Sequence, residues 1–404
     1  MTVLPKNLSG DMLARWERLT MRHPGLMLPL LRQGMEAPDP RLARLALLGT
    51  VFVLERWGRA AELQTQLQQS RTEALARNDH AEAAELAEAQ GRLHYQNGDY
   101  EQACEHWLES LQWADPASRC ACQARIGLAH SCYALGEWAR GGQQLDLAEQ
   151  AYPRLAQDLY LSAKVALNRA VACLSTEGPV AALLVLEQAE PVLRKLGHRD
   201  YSAELQWQRA RCLRELGDLV QAQRINARAL HLARQCHYRW LEVQCHLLDA
   251  QLLAPDAATA AAQAALVLAQ QLQSRSLQAA VHERLSHWAN VQGQLGPAYH
   301  HHEQQRQLEA SLGHSWLRQR LQALVRFSPP RPQPMDAGAG PAEQAVRDTD
   351  PAQLAQALGD GLAQLLAQQR QGQAPSELAL QRLLAHSQQL QRWVESRQGA
   401  TPVF

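Results

Sequence analysis

Phenylalanine is nearly absent, with 3 residues in 404, and runs of β-branched residues are missing. A chain so poor in the residues that fit a pleated, half-buried surface gives no reason to expect a sheet. Glycine and proline are sparse through the middle, so little there interrupts a helix. Neither sign of charge prevails, because Lys plus Arg and Asp plus Glu are 40 each. No global field therefore steers the chain toward nucleic acid or an anionic membrane. The N-terminus lacks a charged region followed by an apolar stretch, which excludes a signal peptide. The most apolar run, residues 45–54, is too short to span a bilayer as a helix. The eight cysteines show no disulfide framework, and only Cys120 and Cys122 are close in sequence. They read as reduced packing residues. The expectation is a soluble, cytoplasmic protein with neither nucleic acid nor membrane as partner.

What the chain has in plenty is Ala, Leu, Gln, Arg and Glu. These lose little side-chain freedom in a helix. A chain of this length holds two or three domains or one long repeat array, and a repeat is present. In its clearest copy, residues 82–116, a helix carries Ala87, Gly91, His94 and Tyr95. The turn Asn97-Gly98-Asp99-Tyr100 follows. A second helix carries Ala103, Trp107, Ser110 and Leu111, and Pro116 forbids its continuation. Gly91 and Ala103 are small where two antiparallel helices would touch. Gly98 can take the positive φ that ends a helix. Trp107 is placed to fill the space between this pair and the next.

The pattern recurs at Ala129, Gly136, Trp138, Gly141, Leu145 and Ala148. Ala170, Cys173, Ala182, Leu186 and Ala189 follow, with the turn near Gly178 shifted by one residue, and then Ala210, Leu213, Gly217, Leu219, Ala222 and Ala229. Residues 41–77, 238–274 and 277–308 read as weaker copies. This small–aromatic–Gly–aromatic–Ala–large–Ala series resembles the tetratricopeptide repeat (TPR) family over roughly residues 41–327. The resemblance implies an all-α, right-handed solenoid of antiparallel helix pairs whose concave groove binds peptides. Gly98 and Gly136 lie 38 residues apart, against 34 for the standard repeat, so the helices must be longer. In that respect the array looks like the long repeats of bacterial regulators, including the maltose-regulon activator type. Residues 299–327 are also similar to the final helix that joins bacterial sensor arrays to GGDEF diguanylate cyclases, although no such output domain follows.

Residues 1–40 are expected to form capping helices, since Met12, Leu13, Trp16 and Leu19 have helical spacing. Residues 41–327 form the array, and 328–349 a Pro/Gly-rich flexible linker. Residues 350–398 read as an amphipathic helical hairpin, with Leu354, Leu358 and Leu362 sharing a face of its first stretch and Leu380, Leu383 and Leu384 sharing a face of its second. That hairpin would dock on the array, self-associate or bind another protein.

No phosphate loop, nucleophile elbow or H-E-x-x-H motif occurs. His282-Glu283 lacks the second histidine of the last. His300, His301 and His302 point about 100° apart on a helix and do not converge on one ion. Cys120, Cys122 and His130 lack an evident fourth zinc ligand and read as packing residues. No cofactor, metal or catalytic residue is expected. The groove remains. The family's inner surface comes from each first helix, which nominates Arg92, Tyr95 and Gln96; then Gln123, Ile126, His130 and Tyr133; then Lys164, Asn168 and Val171; then Trp207, Arg211 and Arg214. Mixed aromatics and cations suit an extended peptide with acidic groups or a free carboxylate. The same residues also suit an ordinary polar helix face, and Tyr133 and Trp207 suit a core. The leading reading is a non-catalytic scaffold or regulatory adaptor with a polypeptide partner. The alternatives are a ligand-responsive signalling regulator that switches the C-terminal helices and an enzyme with an unrecognised groove site.

Overall fold

The computed structural model describes residues 10–312, with side chains from residue 15 onward. The expected linker and C-terminal hairpin lie outside the described residues, as does 313–327 of the expected array. Among the described residues there are sixteen α-helices and no strand. Two helices lead, α1 (Gly10–Arg22) and α2 (Pro24–Gly34). Next come α3 (Pro40–Arg56), which packs on α2, and α4 (Gln64–Ala76), which packs on α5. Six antiparallel pairs run from there, the first three being α5 (His80–Gln96) with α6 (Tyr100–Trp113), α7 (Arg119–Ala134) with α8 (Trp138–Ala151), and α9 (Leu159–Thr176) with α10 (Pro179–Leu196). The last three are α11 (Arg199–Glu215) with α12 (Leu219–Cys236), α13 (Arg239–Leu252) with α14 (Pro255–Gln271), and α15 (Arg275–Val291) with α16 (Leu295–Ala310). The chain is an all-α helical-repeat solenoid.

Local chemistry sets the boundaries. Asp79, Ser118, Asp158 and Asp218 each accept a backbone N–H two or three residues into the following helix. Proline opens α3, α10 and α14, where its missing N–H is harmless. Five of the six within-pair turns contain a glycine at positive φ, Gly98 among them at 73°. The exception lies between α13 and α14, where Leu253 and Ala254 run extended into Pro255.

From α5 onward the first helix of each pair meets its own partner and also the first helix of a neighbouring pair. Trp107 is 1% exposed between two such helices. It fits because α5 and α7 present Gly91 and Gly127, where an added Cβ would come within 2.5 and 2.2 Å of the indole. The first helices thereby line the concave face.

The array also touches itself across the superhelix. The Arg56 guanidinium, at the end of α3, donates to the Asp200 carboxylate of α11, and both are buried. It lies 3.7 Å above the Phe52 ring. Further out, Asn97 O accepts from Arg275 N at 3.2 Å, and Asp99 lies 3.7 Å from the Arg275 guanidinium. Leu272 packs on Gly58. The early helices thus meet α11, α13 and the α14–α15 turn, closing the concave face into a channel.

Candidate functional site

Residues one turn apart on α5, α7, α9 and α11 point to the same side of each helix and therefore into the channel. They enclose a cavity of about 210 Å³ between α3 and the start of α13. Its walls include Tyr95, Tyr160, Tyr201, Trp207, Tyr238 and Trp240. Tyr160 and Tyr201 stack with centroids 5.3 Å apart, and Trp207 and Trp240 meet edge to face at 5.6 Å.

The charges among these rings are of two kinds. Arg92 is satisfied from within, by Glu55 at 2.6 Å and Glu88 at 3.1 Å, and Arg56 by Asp200. Burial disfavours the Arg92 charge, but those two carboxylates outweigh it and raise the pKa above the usual arginine value. Lys164 and Arg211 lie in the same wall without a carboxylate ion pair. Arg211 lies 4.9 Å from the Trp207 ring centre and donates to the Gln208 amide oxygen at 3.0 Å. Burial, with Arg214 adding to it, lowers its pKa against the smaller pull of Cys212 and Glu215. Glu204 faces them. Burial and Asp200 raise its pKa to about 7 against the pull of Arg56 and Lys164. His130 is held neutral, its pKa pushed down to about 4 by burial and then by Lys164, and its Nε2–H donates to Asn168 Oδ1. The site is an aromatic channel carrying two cations that lack a carboxylate at ion-pair distance, with Glu204 facing them.

The nominated residues fall on three surfaces. Arg92, Tyr95, Gln96, Gln123, His130, Tyr133, Lys164, Asn168, Val171, Trp207 and Arg211 all line the cavity. Tyr133 and Trp207 also act as core, at 9% and 7% exposure, with Tyr133 stacked on Trp138 and set against Gly141. Two nominated residues lie outside the cavity wall. Ile126 is fully buried in the main core cluster. Arg214 sits a turn too late on α11 and pairs with its neighbour Glu215. The same slip hid Tyr201, Glu204 and Gln208, which carry the α11 stripe at i, i+3 and i+7. Glu55, Arg56, Tyr238 and Trp240 reach the cavity from α3 and the start of α13.

Elsewhere, His282 Nδ1 and His301 Nδ1 lie 3.0 Å apart, while His300 and His302 are exposed. Cys120 Sγ contacts Ser110 Oγ, and all eight cysteines are free thiols. Among the described residues no group of three or more His, Cys, Asp or Glu could hold a metal ion. No described helix is long and apolar enough to cross a membrane.

No family model and no curated protein matches the chain. Solved structures do. The Cut9–Hcn1 hetero-tetramer of the APC/C superposes with a TM-score of 0.52 at 16% identity, over 78% of this chain and 56% of that one. The chain therefore spans little more than half of that relative's length. A Rap protein complexed with competence and sporulation factor superposes with a TM-score of 0.50 at 13% identity, over 78% of this chain and 96% of that one. At such identities the likeness concerns the fold alone, and that fold is the helical-repeat solenoid of TPR type.

Proposed function

We propose that the protein is a non-catalytic adaptor that binds an extended polypeptide in the concave channel, with an acidic group of the ligand seated between Lys164 and Arg211. The observation that carries this reading is the contrast among the channel cations. Arg56 and Arg92 have carboxylate partners, whereas Lys164 and Arg211 have none. Lys164 and Arg211 are half-buried, and a ligand carboxylate would offset the cost of holding their charges partly out of water. The ring faces supply apolar contact at low entropic cost. The Rap protein's complex with a factor supports ligand occupancy of such an array by analogy. The long repeats support a regulatory role of the bacterial type, and the free thiols support a cytoplasmic setting.

The test is a panel of acidic and neutral extended peptides, with free and amidated C-termini, titrated by fluorescence anisotropy. Acidic peptides should bind. The double variant K164E/R211E should weaken them at least about tenfold, ~1.4 kcal/mol, while sparing neutral ones. Equal affinities for both charge classes, or none for either, would sink the reading.

A further inference from the structure

A second cavity, of about 270 Å³, adjoins the first and shares Glu88, Arg92, Gln123 and Tyr160 with it. Its other side is not a repeat helix. It is α1, which lies across the concave face and contributes Trp16, Glu17, Thr20 and Met21 to the lining. The array contributes Leu45, Leu48, Gly49 and Phe52 from α3. We propose that α1 is a displaceable plug: a segment of the chain that occupies one end of the binding channel and gives way to a ligand helix of similar chemistry. This rests on the channel's being the binding surface.

Two observations bear on release and a third on the occupant. First, α1 is only shallowly seated. Of its residues 15–22 only Thr20 is buried, Trp16, Leu19 and Met21 are partly buried against the core, and the second cavity lies unfilled beneath the helix. Few buried contacts place a segment at the low-stability end of a fold. Second, among the described residues departure leaves no charged or hydroxyl side chain without a partner. Glu17 pairs with Arg119 at 2.6 Å, but Arg119 keeps Asp158 at 2.7 Å. The Thr20 hydroxyl is satisfied by Trp16 O within α1 itself. Third, departure uncovers apolar surface. Leu45, Leu48 and Phe52 would face water, and Trp16 would leave Gly34, where an added Cβ would lie 3.5 Å from its ring. The surface therefore calls for an occupant with a large apolar side chain beside a carboxylate, as Trp16 and Glu17 present.

The probe is a fluorescein-labelled peptide of residues 10–22, GDMLARWERLTMR, added to full-length protein. It should bind W16A/E17R, whose own helix is loosened, at least tenfold more tightly than wild type. An E17R form of the peptide should bind R119E better than it binds W16A/E17R. Hydrogen exchange in wild type should be faster over residues 15–22 than over α3, and E17R alone should accelerate it further. E17R also serves if W16A/E17R folds poorly. The proposal is overturned if the peptide binds no variant, if wild type and variant bind it equally, or if residues 15–22 exchange as slowly as α3. None of these readouts involves Lys164 or Arg211, so failure here and failure of the acidic-peptide test are separable.

Discussion

His198 shows how one side chain can set a property of the entire fold. It is 1% exposed, lies among Phe52, Tyr160 and Tyr201, and has no hydrogen-bond partner on either ring nitrogen. Burial pushes its pKa down to about 4, with Asp200 pulling upward and Arg56 adding to the depression. The unfolded chain thus binds a proton between about pH 6.5 and 4 that the folded chain refuses. The stability contribution is intact above pH 6.5 and is lost as pH falls toward 4, a change on the order of 3 kcal/mol. His198→Phe should keep the ring packing and remove this share of the acid limb in urea unfolding curves measured from pH 7 to 4. His130 and His282, also depressed to about 4 by burial, should supply the remaining slope. An unaltered slope in the variant would show that His198 titrates normally.

Among the elements, the turns were the most legible in sequence. Gly98, Gly136 and Gly217 take positive φ because the chain must reverse there in a left-handed conformation. Two of them separate the local demand from the long-range one. Gly217 has open space where a Cβ would go, so Gly217→Ala should cost only the backbone penalty, about 1–2 kcal/mol. Gly98 has the Ser276 backbone nitrogen 2.8 Å from that position. Gly98→Ala should lower the melting temperature more than Gly217→Ala and also raise exchange at Arg275 N. Equal losses would show that the 98 turn does not bear on the 275 turn. The nominations on α5 and α9 and all but Ile126 on α7 fall in the cavity wall. On α11 the aromatic Trp207 drew the register a turn late, past Tyr201 and Glu204. The contributions of Arg56, Tyr238 and Trp240 had no sequence signal at all. They depend on how far the superhelix winds, and pairwise spacing does not encode that.

For the molecule as a unit, the decisive contact is Arg56 with Asp200, 144 residues away. Asp200→Ala should cost about 3–5 kcal/mol, because it leaves a buried guanidinium without its counter-charge. The double variant R56M/D200L should recover most of that loss, since an apolar pair of similar volume needs no compensation. Chemical denaturation of the two variants checks this, and equal losses in both would mean that the pair acts through packing alone.

Closure of the array changes how it comes apart. A linear stack of repeats holds together only by nearest neighbours, so it frays from its free ends and its stability grows with each copy added. Here α3 leans on α11, and the α5–α6 turn is tied to the α14–α15 turn. The early copies are thus propped by late ones, and melting either set removes the other's support. The protein is built from modules but should lose them together, as a hoop does when a single stave is drawn.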